Sequence, residues 1–287
     1  MRAICQAIEE ASVEVTEFRS ASPISGGCIN NALRLETSSG TYFVKKNHPS
    51  FLAAFEAESI ALAQIAETQT IRVPLPICYG SNEDDSYLVL EYIGMSSPRP
   101  DSQAEAGQKL AAMHRNCGEA FGWNKDNTIG ATRQPNPYSN SWIEFYRDHR
   151  LQFQFELAAQ GGQTFHNAEI LLERIGDFFE GYQPEPSILH GDLWGGNIGY
   201  TQEGEPVIFD PATYYGDRET DLAFTEMFGG FGPDFYNAYE STWPRHSGHE
   251  IRKTLYNLYH YLNHHNLFGG GYANTAQSMI DQLISWG

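Results

Sequence analysis

The sequence predicts an α+β fold: a small antiparallel sheet with one helix in the first third of the chain, then a mainly helical remainder. Three observations carry this. Short runs of alternating apolar and polar residues, separated by turn signals, fill the chain up to Ile93. A Gly/Pro/Ser-rich connector, "GMSSPRPDS", follows. Beyond it, apolar residues recur mostly at helical spacing.

In chain order, Ile4, Ala7, Ile8 and Ala11 form one helical face. Alternation then begins in "VEVTEF", "NALRLET" and "TYFVKK", and "SSG" before Thr41 makes the last two a hairpin. A helix is expected over about 49 to 66, with Phe51, Phe55, Ile60 and Leu62 among its apolar residues. "PLPICYG" and "SYLVLEYI" flank the acidic turn "NEDD" and complete five strands. Asp101 or Ser102 can cap the next helix. "NSWIEFYRDHRLQFQFELA" puts Trp142, Phe145 and Tyr146 on one face and reads as a core helix. A short strand at 187–190 and a hairpin, "IGYTQEGEPVIFD", interrupt the helical part. The expected division is 1–93 and 94–287.

Composition narrows the function. The 287 residues carry 18 basic and 36 acidic side chains, a net charge of −18. Such a surface repels phosphate backbones, which argues against nucleic acid and anionic membranes as partners. "MRAICQAIEE" has glutamates where a signal peptide needs an apolar core, and no apolar run reaches the ~18 residues of a membrane span. Cys5, Cys28, Cys78 and Cys117 are scattered without a C-x-x-C pair, which points to a reducing cytoplasm.

Chemistry concentrates in a few stretches. Lys45 lies on the strand "TYFVKKN", and if Phe43 faces the core Lys45 shares its side and needs an anionic partner; the next helix offers Glu56 and Glu58. "SGGCIN" places Gly26 and Gly27 between two strands, where backbone N–H groups can approach a phosphate. "ILHGDLWGGN" holds His190, Asp192 and Asn197, with the five-residue Asp-to-Asn spacing of the protein-kinase signature H-R-D-L-x-x-x-N and Gly191 in place of arginine. Thirteen residues after Asn197, Asp210 ends the apolar run "VIFD", where a second metal-binding carboxylate belongs. ATP carries several negative charges, and magnesium reverses the repulsion from acidic side chains by bridging carboxylate, amide and phosphate oxygens. The expected cofactors are therefore ATP and Mg²⁺.

These residues, together with "GGCIN", "YFVKKN", "FEAES", "VPLP", "LHGDLWGGN", "FDPATYYGDRETDLAF", "MFGGF" and "YLNHHNLFGGGY", resemble the fructosamine kinase (ketosamine-3-kinase) family, relatives of the aminoglycoside phosphotransferases. The resemblance implies a bilobal protein-kinase-like fold. It implies that Gly26, Gly27 and Cys28 lie in the phosphate loop, that Lys45 anchors phosphate with Glu58 as its partner, and that Glu91, Tyr92 and Ile93 form an adenine-binding hinge. Asp192 would be the catalytic base, with Asn197 and Asp210 as magnesium ligands. His190 would brace the loop, and Asp221 would be a structural carboxylate. Trp194, Asp217, Glu219 and His264 are the acceptor-wall candidates, the tryptophan for a sugar ring and the carboxylates for its secondary amine. The implied reaction is ATP-dependent phosphorylation of the 3-hydroxyl of a fructosamine or other ketosamine, free or on a protein lysine, in deglycation.

Two rival functions stand beside it: an aminoglycoside- or choline-type phosphotransferase, and a non-catalytic nucleotide-binding protein. Cys28 reads as a small apolar filler or, by the same resemblance, as a redox-sensitive thiol. His260 and His264, four apart, suit helix packing or acceptor contact better than zinc. The sequence leaves monomer and homodimer open.

Overall fold

A computed structural model describes residues 1–24 and 30–286. The expectations for Gly26, Gly27 and Cys28 lie outside the described residues. The chain divides into two compact units, Met1–Ser102 with Ile198–Pro211, and Gln103–Asn197 with Ala212–Gly287.

The first unit opens with α1 (Arg2–Ser12), closed by Val13 in the left-handed conformation with φ of 60°. Strands β1 (Phe18–Pro23), β2 (Asn31–Thr37) and β3 (Thr41–Asn47) follow, then a short 3₁₀ turn and α2 (Leu52–Glu67). Strands β4 (Pro76–Ser81) and β5 (Ser86–Glu91) complete an antiparallel sheet of order β1-β2-β3-β5-β4. Ile4 and Ile8 of α1 pack on Leu35, Val44, Tyr87 and Val89, so α1 covers one sheet face. Burying each such side chain contributes about 1.5–3 kcal/mol.

One strand lies elsewhere than expected. "VEVTEF" alternates, yet Val13 and Val15 are 91% and 71% exposed, and the edge strand begins only at Phe18. The left-handed turn at Val13 takes this segment away from the sheet before pairing starts. Every residue of β1 is exposed, so its pairing with β2 leaves no alternation to read.

The first unit also extends past the expected boundary at Ile93 and takes in the hairpin β9 (Ile198–Tyr200) and β10 (Pro206–Ile208). Hydrogen bonds from backbone and side chain hold the connector and hairpin there. The Ser96 amide donates to the Tyr200 carbonyl at 2.7 Å, and the Ser102 hydroxyl donates to the Gly204 carbonyl at 2.6 Å. The Ile208 amide donates to the Arg72 carbonyl at 3.0 Å.

The second unit is mainly helical: α3 (Ser102–His114), α4 (Trp142–Tyr146), α5 (Phe153–Gln160), α6 (Ala168–Arg174), α7 (Glu219–Met227), α8 (Pro233–Thr242), α9 (His249–Phe268) and α10 (Tyr272–Ser285). Short pairs β6 (Asn127–Ile129) with β7 (Thr132–Gln134), and β8 (Ser187–Ile188) with β11 (Tyr215–Gly216), tie its loops. The expected core helix over 140–158 is broken by a π-helical stretch, Arg147–Gln152. Arg150 of that stretch is fully buried, bonded to the Pro135 carbonyl at 2.7 Å and to Asn136 Oδ1 at 2.6 Å, over the Tyr214 ring. Among the described residues no helix is long and apolar enough to cross a membrane.

Candidate active site

In the first unit the even positions of β3 face α1, so Lys45 points to the opposite face, toward α2. It is 4% exposed. Its Nζ lies 2.6 Å from Glu58 Oε1 and 2.5 Å from Asp210 Oδ1. Of the two glutamates offered by α2, Glu58 is thus the partner, and Glu56 accepts from the Tyr79 hydroxyl. Burial opposes the Lys45 charge, but the two carboxylates outweigh it and hold the ammonium above its usual range. Burial pushes Glu58 toward its neutral acid, and Lys45 is what counters that drift.

Asp210 adopts a left-handed backbone with φ of 59°, uncommon for a non-glycine residue. At the end of β5, the Glu91 carboxylate accepts from Arg72 Nη2 at 2.8 Å, while Arg72 Nη1 donates to Glu205 at 3.1 Å. Arg72 therefore ties the expected hinge to the hairpin that ends in Asp210. Arg34 lies 5.1 Å above the Tyr92 ring. Tyr92 and Ile93 fall just beyond the strand.

In the second unit the loop after β8 is held from beneath. Asp221, on α7, accepts the His190 amide at 2.7 Å and the Gly191 amide at 2.8 Å. His114 Nε2 lies 3.1 Å from the same carboxylate, and its Nδ1 lies 2.8 Å from the Tyr239 hydroxyl. Burial lowers the His114 pKa, and Asp221 opposes the fall. The His190 ring accepts the Asp192 amide at 3.3 Å. His190 and Asp221 therefore brace the loop.

Gly191 has φ of +81°, and a Cβ there would meet the Ala212 carbonyl at 2.1 Å. That is why the arginine of the kinase signature has no room here. Asn197 Nδ2 donates to the Asp192 carbonyl at 2.8 Å and to its Oδ2 at 3.1 Å. With its nitrogen engaged, the amide oxygen of Asn197 remains for a cation. An amide oxygen is a hard donor of the kind magnesium prefers.

Two acceptor assignments are corrected. Asp217 and Glu219 have no exposed surface. Asp217 accepts from the Tyr182 hydroxyl at 2.8 Å and the Tyr256 hydroxyl at 2.5 Å. Glu219 takes a two-pronged bond from Arg252, at 2.7 and 3.1 Å, with His249 beside it. Both are sealed structural carboxylates, and a substrate amine reaches neither. Burial opposes the Glu219 charge, but His249 and Arg252 hold its pKa down at about 2.

Asp217 behaves oppositely: burial, reinforced by the Glu219 charge, pushes it up to about 6. A raised carboxyl favours folding below its unfolded value of about 4 and loses that contribution as pH rises through its folded value. Asp217→Asn, which carries no charge, is expected to gain on the wild type by about 2 kcal/mol as pH rises from 4 to 7.5. Urea midpoints across that range measure the gap; a gap flat in pH would oppose the assignment.

Trp194 is exposed and His264 is half-buried. Trp194 is 38% exposed and meets Phe228 edge-on with ring centroids 6.1 Å apart. The His264 ring lies 5.2 Å from Phe228, 5.8 Å from Phe268 and 5.2 Å from Tyr272. His260 stacks on Phe224 at 3.7 Å, and burial lowers its pKa to about 3. It is a neutral packing residue. Sequence reasoning missed Phe228, Phe268 and Tyr272, although "MFGGF" and "LFGGGY" hold them beside paired glycines.

The fold is kinase-like, and the relatives this chain matches are named as kinases. At 14% identity, aminoglycoside phosphotransferase APH(4)-Ia superposes with a TM-score of 0.63 over 99% of each chain, a likeness of fold alone. The fructosamine kinase family model matches residues 1–286, and the chain belongs to that family. A candidate ketoamine kinase of Synechocystis sp. is 47% identical over 98% of this chain and 96% of its own. The chloroplastic protein-ribulosamine 3-kinase of Arabidopsis thaliana is 44% identical over 94% of this chain and 84% of its own. The crystal structure of a candidate fructosamine-3-kinase from Haemophilus somnus superposes with a TM-score of 0.91 at 30% identity, covering 98% of this chain and 96% of the other.

Proposed function

We propose that this enzyme transfers the γ-phosphate of ATP to the 3-hydroxyl of a ketosamine, a fructosamine or ribulosamine, on a free amino acid or a protein lysine. The phosphorylated product is unstable and releases the amine, so the reaction serves deglycation. The observation that carries this reading is the Asp192–Asn197 loop, intact and braced, in a chain that matches the family over residues 1–286.

Lys45 contacts the phosphates, with Glu58 holding its Nζ in place. The backbone around Glu91, Tyr92 and Ile93 binds adenine. Asp192 orients the acceptor hydroxyl and accepts its proton. The amide oxygen of Asn197 and the carboxylate of Asp210 would hold magnesium, which when bound neutralises phosphate charge. Trp194 and His264 belong to the acceptor side. The described cysteines Cys5, Cys78 and Cys117 are free thiols, which supports a cytoplasmic location.

An acceptor panel in a coupled ADP assay, with products identified by phosphorus NMR, tests the reading. Fructoselysine and ribuloselysine are expected to turn over, and kanamycin and choline are not. Turnover of kanamycin without turnover of either sugar amine would defeat it.

A further inference from the structure

With Asp217 and Glu219 sealed away, the positive secondary amine of a ketosamine loses the carboxylates first expected to meet it. What adjoins the Asp192 loop instead is aromatic. The loop crosses the turn after α7 at glycine: a Cβ on Gly230 would come within 2.5 Å of Gly195 Cα, and one on Gly195 within 2.9 Å of the Gly229 carbonyl. A Cβ on Gly196 would strike the Trp194 ring at 2.4 Å, so the indole lies folded over Gly196. This crossing sets Trp194 against Phe228, and the aromatic row continues through His264 to Phe268.

Trp194, Phe228 and Phe268 remain 38%, 44% and 68% exposed. Contiguous exposed aromatic surface beside the Asp192 loop is the kind of surface that marks a ligand-binding groove. The face of an aromatic ring carries negative quadrupole density and attracts a cation without the desolvation cost of a buried carboxylate. Such a surface also accommodates the alkyl stem of a lysine.

Building on the ketosamine reading, we infer that the aromatic face formed by Trp194, Phe228 and Phe268 binds the cationic secondary amine and the adjoining alkyl stem of the acceptor. Phe228 and Phe268 are then specificity determinants, selecting sugar amines over neutral sugars.

The test compares 1-butylamino-1-deoxyfructose with 1-O-butylfructose, in which an ether oxygen replaces the ammonium. Leucine at Phe228 or Phe268 keeps apolar bulk and removes the ring, and the exposure of both sites keeps the fold safe. Phe228→Leu and Phe268→Leu are expected to raise KM for the amine by about 3- to 30-fold. KM for the ether and for ATP should stay unchanged, and Phe228→Tyr should restore the preference. If the leucine variants weaken amine and ether equally, or neither, the cation-binding role is wrong while the ketosamine reading survives. If the wild type phosphorylates neither acceptor, the ketosamine reading itself fails and the inference falls with it.

Discussion

Asp192→Asn is expected to lower kcat by about 10²- to 10⁴-fold, the usual contribution of a positioned general base. Nucleotide affinity should change little, because Lys45, the residue proposed to anchor phosphate, sits on β3 and is held by Glu58. The loop should also keep its shape. Asp221 holds it through the amides of His190 and Gly191, and Asn197 through the Asp192 carbonyl; the further bond from Asn197 to Asp192 Oδ2 can pass to the asparagine oxygen. Asparagine preserves the size of the side chain and its hydrogen-bonding oxygen but cannot take the acceptor proton. A loss confined to kcat, with ATP titration and thermal unfolding unchanged, separates proton transfer from loop positioning. Near wild-type turnover would mean that another group receives the proton and that the role of Asp192 is misassigned.

The parts of this picture that the sequence made legible are those with short-range signatures. Lys45 was readable because strand alternation put it on one face and the next helix supplied carboxylates one turn or less apart. The loop carrying Asp192 and Asn197 was readable from spacing alone. Glycine at 191 became intelligible only with its φ of +81° and the Ala212 carbonyl in view. Asp217 and Glu219 misled because their partners are remote: Tyr256 and Arg252 lie 39 and 33 positions away. Nothing local distinguishes a carboxylate meant for a ligand from one sealed by an arginine on another helix. Strand β1 misled for the converse reason. Its exposed edge carries no hydrophobic pattern, while the alternating valines before it lie in solvent. The aromatic row escaped notice because Trp194, Phe228 and Phe268 come from three segments that only the glycine crossing and α9 bring together.

Lys45→Met should damage activity and stability together, and a second substitution separates the two losses. Methionine matches the lysine stem and removes the charge, leaving Glu58 buried without its cation. Breaking one partner out of a buried pair costs about 3–5 kcal/mol. The cost here should fall near the lower end, about 3 kcal/mol, because burial already draws Glu58 toward its neutral form and protonation relieves part of the strain. Turnover should fall by at least about 10²-fold, since a point charge on the phosphates is lost. In Lys45→Met/Glu58→Gln no buried charge remains unpaired, so the urea midpoint should recover most of the lost stability while turnover stays low. Such a split shows that Glu58 serves the lysine and has no separate part in the chemistry. Failure of the double variant to recover stability would mean that the pair is not the source of the loss. Recovery of turnover would mean that Lys45 does not touch the reacting phosphates, and the assignment of this strand to phosphate binding would have to be abandoned.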